Sequence, residues 1–182
     1  MRRVIILIFL IIPLFGTCQK RKQIPKAIVT WRHSFQQNDY LMGIDAGIIN
    51  EKQNLIWQIV GDFRPFSRKV QEFIGNNTFY QYSERRYVIG LGMEYQHAFN
   101  QGNKGVFLGL NGVHNFGEYR GVSYKPENGW SLLPRAGMFL NFFDGISYVK
   151  LGYQYLNSRS DTVMDHWVFL SLSIVLDPTY EN

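Results

Sequence analysis

Residues 85–99, from Arg85 to Phe99, read RRYVIGLGMEYQHAF. The odd positions carry Arg85, Tyr87, Ile89, Leu91, Met93, Tyr95, His97 and Phe99, and the even ones Arg86, Val88, Gly90, Gly92, Glu94, Gln96 and Ala98. A β-strand sends successive side chains to opposite faces, so this strand has one apolar side and one that is small or polar. Strands of soluble domains usually run about 5–6 residues, whereas about 10 residues of sustained alternation suit a tilted strand that crosses a bilayer. The stretch reads as one stave of a membrane barrel.

The same period recurs on both sides of it. Ala27–Phe35 alternates Ala27, Val29, Trp31, His33 and Phe35 with Ile28, Thr30, Arg32 and Ser34. Tyr40–Ile49 puts Tyr40, Met42, Ile44, Ala46 and Ile48 on one side and Leu41, Gly43, Asp45 and Gly47 on the other, and Leu55–Arg64 sets Leu55, Trp57, Ile59 and Phe63 against Gln58, Asp62 and Arg64. Gly105–Gly117, Trp130–Phe142, Ile146–Leu156 and His166–Leu176 continue the pattern and bring the predicted strands to eight. Asp144-Gly145 is a strong hairpin-turn signal, and Pro134 is awkward inside a strand because it has no N–H for the ladder. Pro65–Glu84, with RPFSRKVQEF as a possible helical turn, is expected to be a long loop, as are Glu118–Gly129 and Asn157–Asp165. An even count returns both chain ends to one side, with short turns at Asn50, Asn100 and Asp144 there and three of the four opposite connections longer.

Composition is consistent with an all-β membrane chain. Hydrophobic residues make up 46% of the 182 residues and aromatics 16%, yet mean hydropathy is slightly negative, which disfavours both a helical membrane protein and disorder. The leader MRRVIILIFLIIPLFGTC has a basic start, an apolar run too short for a spanning helix, and small residues before Gln19. Residues 1–18 are therefore expected to be a cleaved signal peptide, 19–26 a periplasmic tether, 27–176 the barrel domain and 177–182 a tail. Cys18, the single cysteine, leaves no disulfide framework and raises lipidation as an alternative to simple removal. Net charge is +5, and removing Arg2 and Arg3 with the leader leaves +3, too mild to argue for nucleic acid.

No backbone edge can face hydrocarbon unpaired, so the staves must close, and eight of them enclose just enough room for side chains. The fold expected is an eight-stranded antiparallel up-and-down transmembrane barrel with a filled, non-conducting lumen. Arg32, Arg64, Arg86, Arg135 and Lys150 then point inward with Asp45, Asp62 and Glu94, alongside Gln58, Gln96, Asn111, Asn141 and Gln154, and should pair with one another. Outward aromatics Trp31, Tyr40, Trp57, Tyr87, Phe99, Trp130, Tyr148 and Tyr155 would form girdles at the two interfaces, with Tyr148 out of phase in its strand.

In its leader, alternation and loop asymmetry the chain resembles the small eight-stranded outer-membrane barrels of Gram-negative bacteria, the OmpA-like and OmpX-like superfamily. The likeness spans Ala27 to Leu176 and is a pattern rather than a motif. Such proteins commonly end on an aromatic residue, whereas here DPTYEN follows the last strand. The resemblance implies residence in the outer membrane among lipid and lipopolysaccharide, a monomer, no cofactor, and a structural or surface-interaction role with an extracellular ligand or protein as a possible partner. Arg68, Lys69, Arg120, Lys125 and Arg159 would face outward for such contacts, with Phe79, Tyr80, Tyr82, Tyr119 and Tyr124 beside them. Some barrels of this size hydrolyse or transfer acyl chains of lipid A or phospholipids, and His166 with Asp165 is the candidate catalytic pair, among rim groups His33, His114, Ser34, Ser158 and Ser160. No metal is expected, for want of paired ligands at regular spacing. A soluble lipocalin-like barrel is a further alternative, and would need its apolar face turned inward.

Overall fold

Exposure alternates along each stave in the computed structural model, which describes residues 25–50, 54–73, 79–99, 103–121, 128–143, 146–157 and 165–176. The leader, most of the tether, the tail, Asp144-Gly145, Lys125, Tyr124, Arg159, Ser158 and Ser160 lie outside them. The strands are β1 (Lys26–Gln36), β2 (Asp39–Asn50), β3 (Leu55–Phe63), β4 (Arg68–Phe73), β5 (Phe79–Ala98), β6 (Lys104–Arg120), β7 (Gly129–Phe142), β8 (Ser147–Tyr155) and β9 (His166–Leu176). All neighbours are antiparallel. β1 meets β9 from Ala27↔Leu176 to Phe35↔Val168, and β3 meets β5 from Leu55↔Tyr95 to Phe63↔Tyr87, which closes the cylinder.

Nine strands make eight staves because β3 and β4 lie end to end on the same neighbour. β3 pairs with residues 87–95 of β5 and β4 with residues 79–84. Pro65, which cannot donate to a ladder, sits in the break between them, while the Arg64 amide still reaches the Arg86 carbonyl at 2.9 Å. The expected long loop from Pro65 to Glu84, with its helical turn, is thus overturned: its described parts are a strand and the first third of β5. β6 likewise runs on to Arg120 rather than ending at Gly117. Together β4 and the outer ends of β5 and β6 form a three-stranded extension beyond the barrel. It lies at the end where β8 and β9 are joined by the longest connection.

The outer wall is apolar. Leu91 is 66% exposed, Leu108 64%, Met138 62% and Leu132 61%, a continuous belt far larger than a soluble monomer tolerates. Hydrogen bonds of the backbone are satisfied from stave to stave, as hydrocarbon demands. The fold is a transmembrane barrel, and the soluble lipocalin-like alternative fails because the apolar face points outward. Pro134 is accommodated on that outward face. Pairing of β7 with β8 begins one residue later, at Arg135↔Gln154, so the ladder on that side starts past the missing N–H.

Inside, charge is confined between apolar layers. Near the short turns lie Phe107, Phe139 and Phe169, with Ile28, Ile56 and Val175 beside them, and Tyr148 packs against both groups. Tyr148 therefore faces inward and is not a girdle residue. Its ring meets Phe139 edge-on at 5.9 Å, while Phe107 and Phe169 fill the space over the glycine-lined wall at Gly137 and Gly152. Toward the long connections a second layer gathers Leu41, Val60, Val88, Val113, Leu133, Leu156 and Trp167.

Candidate functional site: the charged lumen and the outer rim

The inward charges of the staves meet in the lumen in two groups. In the first, Arg32 of β1 binds Asp45 of β2 and, at 2.5 Å, Asp62 of β3; Arg135 of β7 reaches across the lumen to Asp45 at 3.0 Å and lies 3.7 Å from Asp62. The result is a ring of alternating sign that ties β1, β2 and β3 to β7. Gly43 makes room for it, since a Cβ there would collide with the Asp62 carboxylate and the Arg32 guanidinium. Close by, Lys150 of β8 donates to Glu94 of β5 at 2.5 Å, and Gln96 donates to the same carboxylate oxygen at 2.7 Å. Aromatic faces complete the shell: Arg32 lies 6.0 Å from the Phe169 centroid and Lys150 5.6 Å from that of Phe107. Gln58 to Asn111 (3.0 Å) and Gln154 to Ser34 (3.2 Å) are further bonds between staves.

The second group lies toward the extension. Arg64 grips Asp39 with two nitrogens and reaches Glu84 at 3.3 Å, while Arg86 lies 2.5 Å from Glu84 and 5.7 Å beneath the Tyr119 ring. All four charged groups are at least nine-tenths buried. Asp39 and Glu84 escape the sequence reading, although charge balance points to them. Five inward cations against Asp45, Asp62 and Glu94 leave two without partners, a costly state in a low-dielectric interior, and Glu84 shares the parity of Arg86. Tyr82 and Tyr119, expected as contact residues, instead close this end of the lumen; Tyr82 is 2% exposed. Burial pushes the Tyr119 phenol, which lies beyond the membrane span, up to about 12.

The rim histidines are on the outside of the wall, each among aromatics. His33 accepts from the Trp31 indole at its Nε2 (2.7 Å), so its proton is on Nδ1, where it meets the Tyr40 hydroxyl. His114 packs on Trp130 at 5.1 Å and on Phe116. His166 bonds the Tyr153 hydroxyl and Asp165 bonds that of Tyr155 at 3.3 Å, so the candidate catalytic pair is divided between two tyrosines. Ser34 faces the lumen, on the other side of the wall from His33. Of the expected contact residues, Arg68 is half-exposed and 3.8 Å from Asp39, Lys69 is exposed, and Arg120 is exposed and bound to Glu118 at 2.9 Å. No cluster that could hold a metal occurs among the described residues.

The sequence matches no protein-family model and no curated protein. Solved structures do match in fold. Neisserial surface protein A (NspA) aligns over 84% of this chain and 95% of its own at 14% identity and a TM-score of 0.53. Ail, the attachment invasion locus protein of Yersinia pestis, in a phospholipid bilayer nanodisc, aligns over 84% and 99% at 14% identity and a TM-score of 0.50. The chain is therefore similar in fold to small eight-stranded outer-membrane barrels.

Proposed function

We propose that the chain is a monomeric, non-enzymatic outer-membrane protein whose lumen conducts nothing and whose extension offers a contact surface to an extracellular ligand or protein. Residues 1–18 act as the export signal, leaving Gln19 first, and the barrel resides among phospholipid and lipopolysaccharide. The carrying observation is the pairing of β4 with the outer part of β5: it lifts a charged three-stranded sheet clear of the apolar belt, a sheet that crossing the bilayer does not require. Arg68, Lys69 and Arg120 belong to it, and Lys125 and Arg159 are proposed to join them from neighbouring connections. The closed-lumen reading is supported by the cross-lumen ion pairs between two apolar layers, a filling that opposes a hydrated path for an ion.

Orientation and conduction are tested together. Lys69→Cys and Asn103→Cys variants, expressed in a Gram-negative host, are treated with a membrane-impermeant maleimide on intact cells. Labelling of Lys69→Cys alone is expected; labelling of Asn103→Cys alone would reverse the topology. In planar bilayers the purified protein should give no unitary conductance, and stable single-channel steps would refute the sealed lumen.

A further inference from the structure

On the outward face of β5 and β6, just beyond the membrane belt, Ser67, Ser83, Arg85, Glu118 and Arg120 line a polar recess of about 170 Å³. The register sets it out in rows: Lys69, Ser83 and Arg120 lie abreast, and Arg85 faces Glu118 in the next row toward the membrane. Glu118 is held by its strand neighbour Arg120 at 2.9 Å, and Arg85 makes no ion pair among the described residues. The recess thus offers to an anion the Arg85 guanidinium, two hydroxyls and one further cation, Arg120, against a single carboxylate, with Lys69 in the adjacent position of the sheet. One row further in, Tyr87 and Phe116 stack at 5.4 Å, the aromatic pair that marks the interface.

The same staves carry a second concavity lower down. An apolar groove of about 760 Å³ runs between Ile48, Trp57, Leu91, Met93, Leu110 and Leu132, with Gly112 in its floor. Its size falls within the about 300–1,000 Å³ of small-molecule sites. Arg85 and Leu91 are six positions apart on β5, about 20 Å along a strand and about 15 Å in depth at the usual tilt. That depth is about half a hydrocarbon core, within the reach of an acyl chain whose headgroup sits at the recess.

We propose that this face, with the recess above the groove, binds one lipid bearing phosphomonoester groups: its phosphate sits against Arg85, Arg120, Ser67 and Ser83, and an acyl chain lies in the groove below. The site rests on the reading that this end of the barrel meets the outer leaflet. A guanidinium pair with hydroxyls suits a doubly charged phosphate better than a zwitterionic headgroup. Glu118 opposes the anion, which gives the site a residue whose removal strengthens it.

The full chain, refolded in detergent, is titrated with diphosphoryl lipid A, with phosphatidylcholine and with inorganic pyrophosphate, and bound copies are counted by native mass spectrometry. Lipid A should bind more tightly than either of the others. R85Q/R120Q should weaken it about tenfold, E118Q should tighten it about threefold, and Gly112→Leu should weaken lipid A while leaving pyrophosphate unchanged. Gly112→Leu is compatible with the fold, because a Cβ there meets only the Leu91 carbonyl, at 4.0 Å. Pyrophosphate binding as tightly as lipid A would make this a soluble-anion site and overturn the proposal, as would equal retention of phosphatidylcholine or indifference to the variants. Should the double variant misfold, E118Q and Gly112→Leu still decide the matter. Heat-modifiable migration is recorded for every sample. A chain that stays folded without detergent would refute the membrane reading itself, independently of the lipid result.

Discussion

Replacing Glu94 by Gln keeps the shape of the side chain and removes its charge, leaving the Lys150 ammonium, 3% exposed, with the Phe107 ring and one neutral acceptor. At the observed 2.5 Å and an effective dielectric of about 20, the attraction lost is about 6–7 kcal/mol. Desolvation has already consumed part of that gain, and breaking one partner of a buried pair costs about 3–5 kcal/mol in practice. E94Q should therefore lower the unfolding free energy by about that amount. Removing both charges with E94L/K150M should recover most of the loss or exceed the parent, since an apolar replacement of a buried pair is often neutral or stabilising by about 1–4 kcal/mol. Guanidinium unfolding in lipid vesicles, followed by the fluorescence of Trp31, Trp57, Trp130 and Trp167, measures all three proteins and K150M alone. A loss under about 1 kcal/mol for E94Q, or a double variant no better than E94Q, would refute the claim that this pair is dehydrated and bolts β8 to β5.

Other substitutions probe the wall and the rim. Leu91→Arg, on the belt, should cost about 2–4 kcal/mol in vesicles, against about 0.5 on an aqueous surface, and a value at the lower figure would contradict a lipid-facing position. His33→Phe should cost about 1–3 kcal/mol by stranding the Trp31 N–H and the Tyr40 hydroxyl, read in the same unfolding assay. Tyr119 should be among the last phenols to ionise, at a pH of about 12, and Tyr119→Phe should delete that late step from the near-ultraviolet absorbance titration. Its folded value lies above the ordinary one of about 10, so its contribution to stability is complete below pH about 10 and is lost as pH rises toward 12. Gly43→Val should weaken the Arg32–Asp45–Asp62–Arg135 ring and give a chain that unfolds at lower guanidinium than wild type.

The staves were readable in the sequence because the two sides of a membrane barrel wall face different solvents. In His166–Leu176 the odd positions are buried and the even ones exposed without exception, as a period of two requires. Beyond the belt that contrast vanishes, and β4 with the start of β5 escapes the sequence reading for this reason: Ser67, Arg68, Lys69, Gln71 and Glu72 carry no period at all, and the buried positions Tyr82 and Glu84 are no less polar than their exposed neighbours. Polarity alone also fails inside the lumen. Val60, Val88, Val113 and Leu133 look like lipid-facing residues and are 0–3% exposed, so only their parity places them. Tyr148 reverses the error, being an aromatic at an inward position packed on the lumen's apolar layer.

Buried charge and buried apolar layers divide the work of the lumen. Apolar packing against Gly90, Gly137 and Gly152 is short-ranged and tolerant of sliding, whereas a one-residue slip between staves would turn every ionised group out into hydrocarbon. The ring at Asp45 and Asp62 and the bolt at Glu94 each join staves far apart around the barrel, so a wrong register anywhere between them strands a charge. On this reasoning the ion pairs contribute more to choosing one register than to net stability. E94L/K150M should then fold to a barrel of normal stability but form it with slower or more heterogeneous kinetics than the parent, which time-resolved heat-modifiability during refolding would detect; kinetics identical to wild type would assign register to the apolar layers instead.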